Sequence, residues 1–287
     1  MGSEPGTVHG GRMPIRYDAV LVRALAEELT GRWCGRRLEE LHFDRENRRV
    51  WLVLEGSEAL VWLLHPGSGH LLERRAEEMT GRKRGGSRGI LRGARRLGEV
   101  AAGSDERRLV FDLGVESLVV ELHTNQWNAL LLSGDSIRQV LWPRHAGGRP
   151  LFPHATYVPP GGARLWAETP PSPSQWADWW STHADRSRET ALVREVAWTS
   201  RLNAGFLVSA APSADRVRER LLTLHSLVDP EPGETGSDPG STAPRSWLLH
   251  RALGLQPYPM SLEEERSVPA RSLLAAMRAS ARAQGLR

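Results

Sequence analysis

Apolar residues recur along this chain with two different periods. Residues 17–30 place an apolar stripe on one helical face, which predicts a helix that ends near Gly31. Short alternating or continuous apolar runs predict strands over residues 37–43, 49–55, 59–65, 107–113, 117–123, 126–135 and 137–142. Residues 88–100 are expected to begin as a short helix and end as a strand. Hairpin after hairpin with helices at the edges favours antiparallel sheets.

The second half of the chain changes character. Residues 143–173 are rich in Pro and Gly and predict a linker that wraps a surface. Residues 174–226 have a helical pattern, with Ser174 and Ser213 as candidate N-caps and a helical hairpin around residues 203–205. The acidic, low-complexity residues 229–244 predict disorder, and an amphipathic, Arg-rich helix is expected in the last residues.

These elements predict an α+β protein, with an antiparallel β-sandwich-like domain followed by a small helical domain. The predicted segments are a disordered leader, the β-rich domain, the helical domain, a disordered linker, and a tail containing the start of a helix or coiled coil. Their bounds are residues 1–12, 13–165, 174–228, 229–245 and 246–287.

Composition narrows the class of protein. Of the 287 residues 40% are apolar and 25% are charged, and no apolar run reaches the roughly 18 residues of a membrane span. Residues 1–12 lack the apolar core of a secretory signal. The single cysteine, Cys34, fits a reducing compartment, so a cytoplasmic protein is expected.

Positive charge is concentrated in one segment, although the whole chain carries only +4. Residues 81–96 hold seven basic residues and no acidic one: Arg82, Lys83, Arg84, Arg88, Arg92, Arg95 and Arg96. Glycines let such a segment approach a curved polyanion, so it is a candidate phosphate-backbone site. The alternative interpretation is a solvated loop that keeps the protein soluble.

Other candidate residues are few. His65, in "HPGSGH", is placed to donate a hydrogen bond to phosphate beside the basic segment. Trp127 stands among Asn125, Gln126 and Asn128, so it is either a stacking platform for an unpaired base or a half-buried strand residue. Asn128 is a further candidate RNA contact beside it. No metal-ligand spacing, nucleotide-binding glycine motif or nucleophile–base order is recognisable, so no metal, no cofactor and no enzymatic activity are predicted.

A set of short motifs in a fixed order resembles the NFACT family of ribosome-quality-control factors, RqcH and NEMF among them, which also carry the older name of fibronectin-binding proteins. The motifs are "MPIRYDAVLVRALAEELTG", "LVWLLHPGSGHL", "LRGARRLGEV", "DERRLVFDL", "VVELHTNQWNALLL" and "FPHATYVPP". The resemblance covers residues 13–165 and extends more loosely through "WTSRLNAGFLV". It implies RNA binding, with tRNA and the large ribosomal subunit as partners. The family's long coiled coil and C-terminal RNA-binding domain have no counterpart here.

The resemblance also implies a specific site. Family members carry an Asp-Arg pair at the start of one strand, and this pattern falls on Glu106-Arg107 in "SDERRLVFDL". Glu106 is then expected to hold Arg107 against an RNA phosphate or base edge. An ordinary surface ion pair is the alternative.

Two other functions are open at this point. The family's fold resembles formamidopyrimidine-type DNA glycosylases, and Met13-Pro14 offers a candidate N-terminal proline nucleophile. Ile15 stands where those enzymes have a catalytic acid, and a zinc-binding cysteine set is missing. A surface adhesin, as the older family name suggests, is the third possibility, and it is disfavoured because no signal segment is recognisable.

Overall fold

The structure is a computed structural model, and it describes most of the chain. The described residues are 15–56, 58–65, 69–75, 90–123, 127–162, 164–184, 187–209, 213–227, 246–251, 254–262 and 266–285, with residues 92–94 described by their backbone alone. Among them, no helix is long and apolar enough to span a membrane.

The first helix, α1 (Ala19–Trp33), begins where its sequence provides a cap. The side chain of Asp18 accepts a hydrogen bond from the Leu21 amide at 2.9 Å. The helix passes through Gly31, so the predicted end at this glycine is wrong. Burial of Trp33 (1% exposed) stabilises the last turn and offsets the low helix propensity of glycine.

Strands of the first antiparallel sheet follow α1. They are β1 (Arg37–Asp44), β2 (Arg49–Leu54), β3 (Glu58–Leu63), β4 (His70–Arg75) and β5 (Leu91–Arg96), in the order β4-β3-β2-β1-β5. The pattern predicted β1, β2 and β3, but it missed β4. From Ile90 onward residues 88–100 contain strand and no helix, because residues 91–96 pair along β1.

A second antiparallel sheet has the simplest possible order. Its strands are β6 (Val100–Ala102), β7 (Arg108–Asp112), β8 (Glu116–Glu121), β9 (Asn128–Ser133) and β10 (Ser136–Val140), and each pairs with the next. The predicted hairpins of this region are confirmed. A ribbon of β11 (Arg144–Ala146) and β12 (Arg149–Leu151) follows, within residues predicted as linker. Gly147 and Gly148 both have positive φ, as the two-residue turn of a tight hairpin requires.

Four helices come next: α2 (Pro173–Thr182), α3 (Arg188–Glu195), α4 (Ala204–Val208) and α5 (Ala214–Ser226). Ser213 caps α5 as predicted. The predicted cap Ser174 is wrong, since Ser172 and Gln175 form a capping box around Pro173. The connection between α3 and α4 covers residues 196–203, so it overlaps the predicted turn at residues 203–205 only at Asn203.

The end of the chain folds back onto its beginning, which the predicted tail did not anticipate. Strands β13 (Ser246–Arg251), β14 (Gly254–Tyr258) and β15 (Ser267–Ala270) form a third antiparallel sheet, in the order β14-β13-β15. Helix α6 (Leu273–Ala283) packs against α1, β4 and β14. Glu28 of α1 accepts hydrogen bonds from the Leu273 and Leu274 amides at 2.6 and 3.2 Å, which fixes the start of α6.

One continuous hydrophobic core joins these parts. It takes residues from α1, from both five-stranded sheets, from the helical segment and from the C-terminal sheet, as Ile15, Trp33, Phe111, Trp176 and Tyr258 illustrate. The predicted α+β class with antiparallel sheets is therefore confirmed. The predicted domain bounds stay a prediction.

Candidate nucleic-acid-binding site

A cavity of about 1050 Å³ lies where four parts of the chain meet. Its wall comes from the segment at the start of α1, the loop between β6 and β7, the residues that follow β8, and the helical half of the chain, which contributes residues before α2 and residues from α3 to α4. Five arginines line it (Arg16, Arg107, Arg108, Arg164 and Arg201), beside four carboxylates (Asp18, Asp105, Glu106 and Glu168). The cavity is therefore highly charged, and its properties depend on which of these charges neutralise each other.

Asp105 anchors the β6–β7 loop to the helical half of the chain. Its carboxylate accepts hydrogen bonds from Nε and Nη2 of Arg164 at 2.7 and 2.5 Å and from the Trp198 amide at 2.8 Å. The side chain is only 3% exposed. Asp105 and Trp198 both have positive φ, an uncommon conformation that the surrounding hydrogen bonds stabilise. The loop is thus held in one conformation beside the cavity.

Asp18 connects three distant segments below the same cavity. One carboxylate oxygen caps α1, and the other accepts from Ser200 Oγ at 2.6 Å and from the Tyr258 hydroxyl at 2.9 Å. Asn203 donates to that hydroxyl at 3.0 Å. Burial raises the pKa of Asp18, and these hydrogen bonds oppose the rise.

Arg107 is close enough to both carboxylates for their charges to act on it. Its side chain is half-buried and lines the cavity, and its backbone carbonyl accepts from the Leu122 amide at 2.8 Å. Burial lowers the pKa of Arg107 and nearby Arg164 lowers it further, while Asp18 and Asp105 raise it. The guanidinium is thus partly desolvated and is influenced by charges of both signs.

Glu106 does not hold Arg107, so that predicted pairing is wrong. The Glu106 carboxylate accepts from Nε of Arg108 at 2.7 Å. Glu106, Arg107 and Arg108 all line the cavity. The carboxylates whose charge acts on Arg107 are those of Asp18 and Asp105.

His123 stands at the end of β8 beside Arg107. Burial and the charge of Arg107 lower the pKa of His123 to about 4, so the ring is neutral at pH 7. Among the described residues, no atom pairs with its buried Nε2. A neutral imidazole here leaves the positive charge of the cavity wall to the arginines.

His123 predicts a specific acid sensitivity. The unfolded chain protonates this residue near its ordinary pKa of about 6.5, and the native state does so only near 4. Between these two pH values the unfolded state binds more protons than the native state. Protonation of His123 therefore lowers the free energy of unfolding as the pH falls. We expect His123→Gln to lose less unfolding free energy than the wild type between pH 7 and pH 4, measured by urea denaturation. Parallel pH profiles would contradict this.

Trp127 and Asn128 both have contacts inside the protein, and their predicted contact with RNA stays a prediction. Trp127 is 7% exposed and packs edge-to-face on Tyr17, with ring centroids 5.5 Å apart. A Cβ on Gly69 would overlap the Trp127 ring, so only glycine fits there. Asn128 is fully buried and pairs with the amide and carbonyl of Trp142 at 3.0 and 2.9 Å. Asn128 is thus enclosed by the protein, whereas Trp127 also lines the cavity around Arg107.

The basic segment is only partly described. Arg82, Lys83, Arg84 and Arg88 lie outside the described residues, as does the side chain of Arg92, so their predicted role stays a prediction. Arg95 is corrected to a structural role, because it and Arg138 both pair with the buried carboxylate of Glu116. His65 is exposed just after β3, and its contact with phosphate stays a prediction.

Sequence patterns missed most of the cavity wall. Asp18 carried a usable signal, since Asp directly before an apolar helical stripe is a typical N-cap. Asp105, Arg164 and Tyr258 carried none, because their partners are distant in sequence. No group of three His, Cys, Asp or Glu residues that could hold a metal ion occurs in the described part of the chain.

Comparison with known proteins identifies the fold. No family model matches the chain, and no curated protein matches it at a significant level. Among solved structures, the fibrinogen-binding protein from Staphylococcus aureus matches with a TM-score of 0.63 and 13% identity, over 92% of this chain and 98% of that one. The N-terminal part of the fibronectin/fibrinogen-binding protein from Streptococcus suis matches with a TM-score of 0.62 and 14% identity, over the same shares. The chain therefore shares its fold with these fibronectin- and fibrinogen-binding proteins.

Proposed function

We propose that this protein is a non-enzymatic, cytoplasmic RNA-binding protein of the NFACT type, with tRNA or the large ribosomal subunit as its partner. Support comes from the ordered motifs in residues 13–165 and from the shared fold. The same resemblance suggests a glycosylase-like β-rich domain followed by a helix-hairpin-helix-like domain, and we propose residues 13–165 and 174–228 for these two units.

The observation that carries the proposal is the placement of Arg107. Arg107 is half-buried at a large cavity, and the charges of Asp18 and Asp105 act on its guanidinium. The guanidinium fork can bind a phosphate or a guanine edge through two hydrogen bonds. Exposed Arg16 and Arg201 line the same cavity and add attraction for a polyanion.

A DNA glycosylase is a weaker alternative for these residues. Pro14, the candidate nucleophile, lies outside the described residues. Ile15, at the position of the expected acid, is 1% exposed and belongs to the hydrophobic core. An aliphatic side chain there cannot transfer a proton, and base excision depends on such chemistry in its pocket.

Adhesion has one observation in its favour, namely the names of the two structural neighbours. Their identities to this chain are 13% and 14%, and a match at that level indicates fold and not ligand. Binding to immobilised fibronectin and fibrinogen, measured beside binding to tRNA, decides between the two functions. Retention on the plasma proteins without retention of tRNA would reject the RNA proposal.

Arg107→Ala tests the proposal directly. We expect the affinity for tRNA to fall about tenfold or more, because one bidentate contact contributes about 1–3 kcal/mol. Arg107→Lys keeps the charge and loses the fork, so it should restore little of the affinity. Glu106→Gln is expected to have no direct effect, since Glu106 pairs with Arg108. Binding is measured by filter retention at fixed ionic strength.

Arg108→Gln is the matched control, because it removes the same charge one residue further along the chain. Arg108 lines the same cavity, but its side chain is held by the ion pair with Glu106. A specific contact predicts a much larger loss for Arg107→Ala than for Arg108→Gln. If both variants lose affinity equally and Arg107→Lys restores it, Arg107 belongs to a diffuse positive field and the site assignment fails.

A further inference from the structure

A second cationic surface lies apart from the cavity, where the β1–β2 turn meets the chain that leaves β10. Arg48 comes from the turn, and Trp142 and Arg144 follow β10. Arg45 joins the two elements by donating to the Val140 carbonyl at 3.3 Å. None of these residues lines the cavity around Arg107. We call Arg48, Trp142 and Arg144 the Arg48–Arg144 cluster.

The turn that presents Arg48 is well ordered by its own hydrogen bonds. Asp44 accepts from the Asn47 amide at 3.0 Å and from the Asn47 side chain at 2.8 Å. The Leu64 amide donates to the Arg48 carbonyl at 2.8 Å. Arg48 itself has a φ of 49°, a conformation that arginine rarely adopts. Its backbone is therefore fixed before any ligand arrives.

Trp142 orients the Arg48 guanidinium. The guanidinium carbon lies 4.2 Å from the centre of the indole ring. Trp142 is 40% exposed, which is high for tryptophan, and Asn128 holds its backbone. An arginine stacked in this way directs its N–H groups along the plane of the stack, beyond the ring. The cluster thus combines an oriented cation with an exposed aromatic surface.

Arg144 has two hydrogen-bond donors with no acceptor in the part of the chain that the structure describes. Its Nε and Nη2 are buried, and no atom of the described residues accepts from them. These two atoms form the edge of a guanidinium that binds two oxygens at once, as Arg164 does with Asp105. Because they have no acceptor among the described residues, turning this edge towards a bound anion breaks no hydrogen bond there.

The charges around Arg144 also favour an anion. Burial lowers the pKa of Arg144, and the nearby cations Arg48 and Arg149 lower it further. Glu121 acts in the opposite direction, but its carboxylate is occupied. Arg149 binds both of its oxygens at 2.8 and 3.2 Å, and the Tyr157 hydroxyl donates to it at 3.0 Å. Like charges held together at a surface are typical of sites that bind the opposite charge.

We propose that the Arg48–Arg144 cluster binds a phosphodiester group of single-stranded RNA, as a second contact separate from the cavity. The two guanidinium groups bind the phosphate oxygens, and the exposed indole packs against the neighbouring base. The choice of RNA as the source of the phosphate rests on the proposed function. The donor arrangement itself rests only on the geometry of the cluster.

The test uses the full chain and a fluorescently labelled twelve-residue oligouridine. Arg48→Asn removes one guanidinium and suits the positive φ, because asparagine tolerates this conformation. Arg144→Met has similar length and no donors. We expect the double variant to bind the oligonucleotide at least about tenfold more weakly, and the slope of log K against log salt to fall by about 0.7 for each phosphate that is no longer neutralised. Arg282→Gln, an exposed change on α6, should alter affinity less than about twofold.

The melting temperature of Arg144→Met distinguishes a binding role from a structural role. A structural role predicts that the melting temperature falls, and a binding role predicts that it does not. Arg144→Met removes buried donors that have no acceptor among the described residues, so we expect the melting temperature to rise while RNA affinity falls. A fall in both quantities would make Arg144 a structural residue and overturn the proposal. If the double variant does not fold, Arg48→Asn alone, at an exposed turn, must still weaken binding and reduce the salt slope.

The remaining outcomes show whether RNA binds at the cluster or at the cavity, and whether the ligand of the cluster is RNA or a free polyphosphate. Oligouridine affinity that is unchanged in the double variant, but abolished in Arg107→Ala, rejects the cluster and leaves the proposed function standing. A wild type that binds no RNA rejects the proposed function and the RNA assignment together. In a third outcome, inorganic pyrophosphate stabilises the wild type but not the double variant, and the double variant keeps its RNA affinity. This result identifies free polyphosphate as the ligand of the cluster and overturns the RNA assignment.

Discussion

Trp176→Ala is expected to lower the free energy of unfolding by about 4 kcal/mol, since truncation of a buried tryptophan removes a large packed surface. Trp176 is 1% exposed on α2. It stacks on Trp179 with ring centroids 5.2 Å apart and contacts Trp166 at 5.8 Å. Its indole nitrogen donates to the Ala214 carbonyl at 2.7 Å, which ties α2 to the start of α5.

The control is Trp180→Ala in the same helix. Trp180 is half-buried, and Arg188 covers its ring at 4.1 Å. Its removal should cost about 1 kcal/mol, the scale of an exposed cation–π contact. Trp176→Phe keeps most of the packing and loses the hydrogen bond, so an intermediate loss is expected. Urea denaturation measures all three variants. Equal losses in Trp176→Ala and Trp180→Ala would show that the helical segment has no aromatic core.

The strands that the sequence predicted are those whose own residues show the alternation of a strand. In β7, Leu109 and Phe111 are buried while Asp112 is exposed, and this period of two is visible in the letters alone. The glycine pair between β11 and β12 was equally visible, but the surrounding prolines favoured a linker. A hairpin signal of two glycines can therefore outweigh nearby prolines when the flanking residues pair.

Strand β4 and the C-terminal sheet could not be predicted in the same way. Strand β4 reads "HLLERR" and lacks alternation, and it is a strand because β3 and α6 cover it. Helix α6 is fixed by Glu28, which lies 245 residues away from Leu273 along the chain. Such contacts depend on the completed fold, and a local pattern carries no information about them.

The candidate site also contains one residue that the sequence predicted and several neighbours that only the folded chain supplies. Arg107 was found because a family motif falls on it, but its neighbours were assigned incorrectly. Adjacent residues can form an ion pair, as Arg194 and Glu195 do, so the sequence did not show that Glu106 pairs with Arg108 instead. The neighbours that the structure supplies are long-range: Asp105 bonds to Arg164 from 59 residues away, and Asp18 bonds to Ser200 from 182 residues away.

Asp105→Asn is expected to lower the free energy of unfolding by about 3 kcal/mol, because breaking a buried ion pair leaves the other charge uncompensated. Asparagine keeps the shape of the side chain and tolerates the φ of 52° at this position, so the backbone is not the cause. The removed charge had balanced Arg164, whose side chain is 24% exposed. Partial exposure of Arg164 places the expected loss at the lower end of the range for buried pairs.

Glu106→Gln is the matched control, because it makes the same chemical change one residue later. Its pair with Arg108 is more accessible, with side chains 25% and 17% exposed, so a loss below about 1 kcal/mol is expected. Both variants are compared by urea denaturation at pH 7. Asp105 also stands beside Arg107, so Asp105→Asn should weaken tRNA binding even under conditions where the variant is fully folded. Equal stability losses at the two positions would contradict the role of Asp105 as the anchor of the loop.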